Sequence, residues 1–289
     1  MTYRELILNE SCSFSESDTP FLDAVLLLAH SLGISKEKLF SILPESVDFI
    51  PQSFFELTER RRNGESIAHI RGFREFYGRE FLVNDDVLSP RQDTEVLVEA
   101  ALESSKLFEP VVGIEEGLKA GGGISILDLC TGCGAVAISL AAEKPWFKVT
   151  ALDISSAALD IAKKNAQRLL TASSLIFIES DLFSVIDGKY EIITANPPYV
   201  PHCEAEQLIS KGWKDPLISL DGGIDGMKYI RKIIMEGYEY LSHNGVLLLE
   251  MDPYQTSESL ALFKKMGYID LRTWKDLSGS IRVVGGRHG

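Results

Sequence analysis

Ile124-Ser125-Ile126-Leu127-Asp128-Leu129-Cys130-Thr131-Gly132-Cys133-Gly134 is the stretch from which the fold is read. Ile124 to Leu129 is a short apolar run broken only by Ser125 and Asp128. That is the pattern of a strand buried on both faces. The small residues that follow form a tight turn, and Gly134 opens an apolar helix running to Glu143. Outward from this unit the alternation continues. Strands are expected at Lys148–Asp153, Leu175–Ile178, Tyr190–Ala195 and Gly245–Glu250, and helices at Ser155–Leu170, Met227–Leu241 and Tyr254–Met266. Strands alternating with helices predict a mainly parallel sheet covered on both faces, with ligands bound beyond the carboxyl ends of the strands. Segments near Ile269–Leu271 and Ile281–Val284 read as an antiparallel pair. The fold class is α/β, Rossmann-like.

Upstream the period changes to that of helices. Pro20 opens an apolar stretch from Phe21 to His30, and Gly33 closes it. Proline in a first helical turn and glycine after the last are the usual punctuation. Pro51 opens a second helix through Phe54, Phe55 and Leu57 into Arg60-Arg61-Arg62, and a short one spans Ser66–Ile70. Phe14, Phe21, Phe54 and Phe55 are assigned to the core, and the arginine run to a solvated face or a docking surface. β-formers around Gly78 predict a hairpin over Glu75–Asn84. Gln92–Phe108 reads as a helix, and Pro110–Gly123, with three glycines at its end, as a loose surface connection. The chain therefore divides into an all-helical domain (1–73), a β-hairpin linker (74–88) and an α/β domain (89–289).

Composition sets limits. Acidic residues outnumber basic ones 42 to 29, for a formal charge of −13. A protein that grips nucleic acid through phosphates carries a basic face, so direct nucleic-acid binding is not expected. No apolar run reaches the ~20 residues of a membrane span. A cytoplasmic monomer is expected. The 4 cysteines are too few and scattered for a disulfide framework.

The turn Cys130-Thr131-Gly132-Cys133-Gly134 lets a ligand approach the backbone closely. About twenty residues on, Asp153 ends the next strand, where a carboxylate can accept hydrogen bonds from the ribose hydroxyls of a nucleoside. A dinucleotide would bring a pyrophosphate, beside which Asp128 is badly placed. A cationic nucleoside suits it. S-adenosylmethionine carries a sulfonium and an ammonium and no phosphate. Cys130-x-x-Cys133 also spells half a zinc or redox motif, but no second pair accompanies it, so no metal is expected.

The strand ending at Ala195 runs into Asn196-Pro197-Pro198-Tyr199. Two prolines stiffen the turn and remove two backbone donors. What remains is a display of acceptors, the Asn196 side-chain oxygen and the Pro197 carbonyl, beside the flat ring of Tyr199. A planar NH2 group is a poor nucleophile because its lone pair is delocalised. Two acceptors holding its two N–H bonds orient that lone pair and stabilise the positive charge that grows on nitrogen. A glutamine amide and the exocyclic amine of a nucleobase both meet this description.

In these motifs the chain resembles the release-factor glutamine N5-methyltransferases (the PrmC/HemK family) over nearly its whole length. The resemblance rests on Gly72-Phe73-Arg74-Glu75-Phe76-Tyr77-Gly78, Leu88-Ser89-Pro90-Arg91-Gln92-Asp93-Thr94-Glu95, the glycine loop, Asn196–Tyr199, and Leu220-Asp221-Gly222-Gly223-Ile224-Asp225-Gly226. It implies a class I methyltransferase domain and S-adenosylmethionine as cofactor, with S-adenosylhomocysteine as product. The substrate would be the glutamine of the Gly-Gly-Gln motif in class 1 peptide release factors. Cofactor contacts would come from Asp128, Cys130, Thr131, Gly132, Cys133, Gly134, Asp153, Asp181, Leu182 and Asn196. Asn196, Pro197, Pro198 and Tyr199 would bind the glutamine, with Asn196, Pro197 and Tyr199 catalytic. The helical domain would help dock the release factor. The chain departs from the pattern at Gln92-Asp93 (usually Pro-Glu), at Cys130 and Cys133 (commonly Gly and Ser or Thr), at Leu182 (an aromatic in some relatives) and at Glu250-Met251-Asp252 (usually Glu-Ile-Gly). A ribosomal-protein glutamine, a nucleobase amine and a non-catalytic cofactor-binding module stand as alternatives.

Overall fold

The computed structural model of the chain describes residues 1–15, 17–108, 123–171 and 174–289. They form two compact units, Met1–Phe73 with Gln207–Lys214, and Arg74–Glu206 with Asp215–Gly289.

The first unit contains helices α1 (Tyr3–Ser11), α2 (Pro20–Leu32), α3 (Lys36–Ile42), α4 (Gln52–Arg62) and α5 (Ile67–Arg71). α1 starts on a reciprocal cap in which Thr2 Oγ1 accepts from Glu5 N and the Glu5 carboxylate accepts from Thr2 N. α2 stops at Gly33, whose φ of 65° glycine adopts without strain. Ile7, Leu27, Leu28, Leu39 and Phe54 form the fully buried centre of this unit. Phe14 is buried with them and Phe21 packs at the edge, but Phe55 is 39% exposed. Adjacent positions on a helix point about 100° apart, and the core covers the face of α4 that carries Phe54 while Phe55 lies outside it. The arginine run is paired within its unit. Arg60 bonds Glu65, Arg61 Nε donates to Asp23 Oδ2 at 2.8 Å, and Arg62 bonds Glu10 and Glu59.

Next along the chain comes the hairpin of β1 (Phe73–Phe76) and β2 (Arg79–Leu82), turned through Tyr77 and Gly78, both at positive φ. There follow α6 (Glu95–Ser105), β3 (Ser125–Leu129), α7 (Ala135–Glu143), β4 (Lys148–Asp153), α8 (Ser156–Leu169), β5 (Ser174–Glu179) and β6 (Tyr190–Ala195). α9 (His202–Ser210), α10 (Leu217–Leu220), α11 (Lys228–Gly237), β7 (Leu241–Glu250), α12 (Thr256–Lys265), β8 (Ile269–Lys275) and β9 (Ile281–Arg287) complete the chain. Seven strands form one sheet in the order β5-β4-β3-β6-β7-β9-β8. The first five are mutually parallel, and β9 pairs antiparallel with both β7 and β8. The parallel strands carry the apolar runs that two covered faces require, and Leu127, Leu129, Ile193, Leu247 and Leu249 are fully buried.

Several boundaries differ from the sequence expectation. The helices expected at Gln92–Phe108 and Tyr254–Met266 each begin with a 3₁₀ turn, Gln92–Thr94 and Pro253–Gln255. The helix expected to reach Leu241 gives way after Gly237 to a 3₁₀ turn, and β7 begins at Leu241, before Gly245. α9 and α10 lie where the sequence pattern predicts no element. The connection expected at Pro110–Gly123 lies, apart from Gly123, outside the described residues.

One polar side chain ties the hairpin to the sheet. Asn165 of α8 is fully buried. Its Oδ1 accepts from Leu82 N at 2.7 Å, and its Nδ2 donates to Leu82 O at 3.1 Å and Cys133 O at 2.9 Å. Both ends of its amide are thus used in joining β2, α8 and the turn after β3. Asn165→Leu leaves those backbone groups buried without partners, and urea unfolding should show a loss of ~3 kcal/mol.

Candidate active site

The carboxyl ends of β3, β4 and β6 open into one pocket enclosing about 1060 Å³, part of it open to solvent. It lies where the strand order reverses. β3 has β4 on one side and β6 on the other, so the connections from these strands diverge and leave a crevice. Asp86, Asp128, Asp153 and Asp181 line it, and among the described residues no Lys, Arg or His does. Of the residues expected at the cofactor and acceptor sites, Asp128, Cys130–Cys133, Asp153, Asp181, Leu182, Asn196 and Pro198 line this pocket. Gly134, Pro197 and Tyr199 do not.

The turn after β3 is built from unusual backbone. Cys130 has φ 55°, Gly132 φ 55° and Gly134 φ 84°. A side chain in the left-handed region costs about 1–2 kcal/mol, a strain that Cys130 carries. A side chain at Gly134 would be strained at this φ, and its Cβ would lie 2.7 Å from Ile138 Cδ1 and 3.2 Å from Ala162 Cβ. Thr131 N donates to Leu152 O at 2.8 Å, fastening the turn to β4.

Two carboxylates hold this turn in shape. Asp128 is buried; Oδ2 accepts from Thr131 Oγ1 and Oδ1 from Thr194 Oγ1, each at 2.7 Å. Burial raises its pKa to about 6, against the pull of those two hydroxyls. Asp153, at the end of β4, accepts from Gly132 N at 2.8 Å and Ser155 N at 2.9 Å, and burial raises its pKa also. Asp128 also takes a backbone hydrogen bond from Ala137 and Asp153 one from Ile154, so each carboxylate is held by three donors. Asp181 pairs with Lys232 at 3.5 Å. Leu182 is buried at φ 51° and presents an aliphatic wall.

The Cys130-x-x-Cys133 pair consists of free thiols. Burial pushes the Cys133 thiol up to about 12 and the Cys130 thiol well above the ordinary cysteine value. A metal or redox site needs thiolates. Among the described residues no group of three or more His, Cys, Asp or Glu is arranged to hold a metal ion. Cys12 and Cys203 are exposed. A disulfide reagent at pH 8 should therefore titrate two thiols quickly and the other two at least tenfold more slowly; four equally fast thiols would contradict this environment.

The acceptor loop leaves the end of β6, and distant segments support it. Asn196 Nδ2 donates to Thr94 Oγ1 at 3.3 Å. Among the described residues no group donates to Asn196 Oδ1 or to the Pro197 carbonyl. Pro197 is buried, and Tyr199 packs against the main core with its hydroxyl donating to Glu250 Oε1 at 3.3 Å. The Tyr199 carbonyl accepts from Gln255 Nε2 at 3.0 Å, and the same nitrogen reaches Gly226 O at 3.1 Å. The glycines of Leu220–Gly226 exist for close approach. A Cβ on Gly226 would lie 2.2 Å from the Tyr199 carbonyl oxygen, and one on Gly222 would lie 2.8 Å from that of Pro198. In this segment Asp221 accepts from Gly223 N, and Asp225 from Met227 N and Arg231.

The segment Ser89–Glu95 buttresses the opposite side. Ser89 N and Arg91 Nη2 both reach the Asp215 carboxylate, at 2.9 and 3.0 Å, and Glu95 Oε1 accepts from Tyr77 N at 2.8 Å. Thr94, Glu250 and Gln255 are thus site-shaping residues to which sequence reasoning gives no role. Thr94 falls inside a segment that carries the resemblance, whereas Glu250 opens one where the chain departs from it. Gly226→Ala should displace the acceptor loop by about 1 Å and lower kcat on the order of 10²-fold, with thermal stability reduced far less.

The sheet order, the carboxylate-lined crevice and the acceptor loop define a class I S-adenosylmethionine-dependent methyltransferase. Residues 8–72 match the PrmC N-terminal domain, and residues 116–212 the methyltransferase small domain. The chain is 36% identical over 273 residues to the release factor glutamine methyltransferase of Burkholderia pseudomallei, covering 92% of this chain and 91% of that protein. It is 37% identical over 278 residues to the protein of that name from Koribacter versatilis, covering 94% and 93%. A solved methyltransferase of Pyrococcus furiosus shares the fold, with a TM-score of 0.50 at 18% identity over 74% of this chain and 90% of its own. The chain belongs to the release factor glutamine methyltransferase family.

Proposed function

We propose that this enzyme methylates the side-chain amide nitrogen of the glutamine in the Gly-Gly-Gln motif of class 1 peptide release factors. The observation that carries the reading is the pairing of two features at one crevice. One is a pocket with four carboxylates and, among its described lining residues, no cation. The other is a proline-stiffened turn whose acceptors are unoccupied by described residues.

The pocket residues fit S-adenosylmethionine. The Asp153 carboxylate suits ribose hydroxyls, the Asp128 side favours a cation, and Leu182 and Ile154 supply apolar wall for a purine. A pyrophosphate would meet carboxylates and no compensating charge. Bound there, the cofactor supplies a methyl group on a positively charged sulfur.

The remaining work falls to the acceptor loop. Asn196 Oδ1 and the Pro197 carbonyl take the two N–H bonds of the glutamine amide and fix its plane. The nitrogen lone pair is thereby turned toward the methyl group, and charge appearing on nitrogen meets two oriented dipoles. No strong base is needed at the start, because the N–H becomes acidic only as the new bond forms. In this reading Tyr199 acts through packing and its bond to Glu250, and Pro198 forms wall. The helical unit contributes release-factor docking, and the enzyme works in the cytoplasm without a metal.

The test uses methyl-labelled S-adenosylmethionine and a class 1 release factor beside a variant whose Gly-Gly-Gln glutamine is alanine. Label should enter the first and not the second. Equal labelling of both, or of naked RNA or DNA alone, would sink the proposal. Asn196→Ala should cut kcat by about 10²–10³-fold, the cost of removing one oriented dipole.

A further inference from the structure

Glu250 ends β7 and is 1% exposed. Among the described residues no cation pairs with it, and its Oε2 has no hydrogen-bond partner. A buried carboxyl in that condition is costly, and an apolar residue would fill the space more cheaply. Such a group calls for an explanation.

Its surroundings supply one. Tyr199 Oη donates to Oε1 at 3.3 Å, and the Thr94 hydroxyl also interacts favourably with the carboxylate. Thr94 in turn takes a hydrogen bond from Asn196 Nδ2. Asn196 and Tyr199 are the two ends of the acceptor loop, so Glu250 reaches both ends, one directly and one through Thr94. The charged groups that act on it most are Asp93 on the 3₁₀ turn, which opposes its ionisation, and Arg282 on β9, which favours it. Arg282 is already engaged, at 3.1 Å to Asp93 and 2.8 Å to Asp276, and does not neutralise Glu250 by contact.

We infer that Glu250 is a positioning residue that sets the polarity of Asn196: its carboxylate takes the hydroxyl hydrogen of Thr94, so Thr94 oxygen can only accept from Asn196 Nδ2, and Asn196 Oδ1 is left to hold the N–H of the acceptor amide. The inference rests on the reading of Asn196 proposed above. An ionised carboxyl only accepts; a protonated one can donate. With Glu250 protonated, the Thr94 hydrogen is released toward Asn196. The Asn196 amide then turns its oxygen to Thr94 and its NH2 to the substrate NH2, where two donors repel. Burial raises the Glu250 pKa to about 7. Transfer should accordingly rise with pH through about 7 as Glu250 ionises.

The stability consequence has the opposite sign. A carboxyl whose folded pKa lies above its unfolded value stabilises the fold below the unfolded pKa, and that stabilisation is lost as pH rises through about 7. Glu250→Gln removes this loss. The variant should be no less stable than the parent at pH 8 while turning over more slowly, a combination that a purely structural role does not give.

The experiment measures kcat, KM for the release factor and S-adenosylmethionine binding from pH 6 to 9 for the parent, Glu250→Gln, Thr94→Val, Thr94→Ser, the Glu250→Gln/Thr94→Val double variant and Asn196→Ala. Expected for Glu250→Gln is a 10- to 100-fold fall in kcat at pH 8, cofactor affinity within about twofold of the parent, and loss of the rise near pH 7. Thr94→Val should match it, Thr94→Ser should restore most of the rate, and the double variant should be no slower than the slower single variant. If Asn196→Ala is slow while Glu250→Gln and Thr94→Val keep the parental rate and pH profile, the positioning role of Glu250 is wrong and the acceptor loop stands. If Asn196→Ala itself keeps the parental rate, the reading of the loop fails instead. Should Glu250→Gln fold poorly, Thr94→Val decides alone: the same fall in kcat and loss of the pH rise supports the role of Glu250, and a parental rate and profile overturn it.

Discussion

The buried Asp128 carboxylate is the joint on which the site depends. It sits on β3, the strand between β4 and β6, and accepts one hydroxyl from each neighbouring structure that matters. Thr131 belongs to the turn that shapes the cofactor pocket, and Thr194 to the strand that delivers the acceptor loop. Both bonds are 2.7 Å and both are shielded from water, where such contacts are strong. The carboxylate therefore fixes the separation of two loops whose ligands must react with each other. Its charge also biases the crevice toward a cation, so one group serves geometry and selectivity together.

Around that joint the protein assembles rigidity from distant parts. The acceptor loop lacks the cooperative support of a helix or strand, and its two prolines have no N–H to offer. Its order comes from outside: Thr94 before α6, Gly222 and Gly226 pressed against its carbonyls, and Gln255 at the start of α12 bonding Tyr199 O. The glycines are present because backbone must meet backbone there, a contact any side chain would prevent. Pre-organisation of this sort matters for methyl transfer, where the enzyme supplies alignment and oriented dipoles more than acid–base chemistry.

The sequence discloses some parts of this arrangement and conceals others for physical reasons. The strand–turn–helix of Ile124–Glu143 and the Asn196–Tyr199 turn are local patterns, and adjacent residues reveal them. Asp153 follows from position at a strand end. Glu250, Thr94 and Gln255 act through contacts made across more than fifty residues of chain, and no local period encodes such contacts. Tyr199 shows the difference well. Read alone, its ring is a platform for the substrate, whereas in the fold it packs against the core and its hydroxyl turns to Glu250. Phe55, expected in the core beside Phe54, lies on the side of α4 that the core leaves uncovered. β7 starts four residues early because pairing with β6 through Tyr190 and Leu241 extends the strand beyond its apolar run.

The central claim is that Asn196 and Pro197 hold a glutamine amide by its two N–H bonds. The most direct measurement is a crystal structure with S-adenosylhomocysteine and a Gly-Gly-Gln peptide bound. The account predicts the glutamine nitrogen about 3 Å from both Asn196 Oδ1 and the Pro197 carbonyl, its face toward the cofactor sulfur. A glutamine nitrogen bonded elsewhere, or an Asn196 presenting Nδ2 to it, would contradict the account.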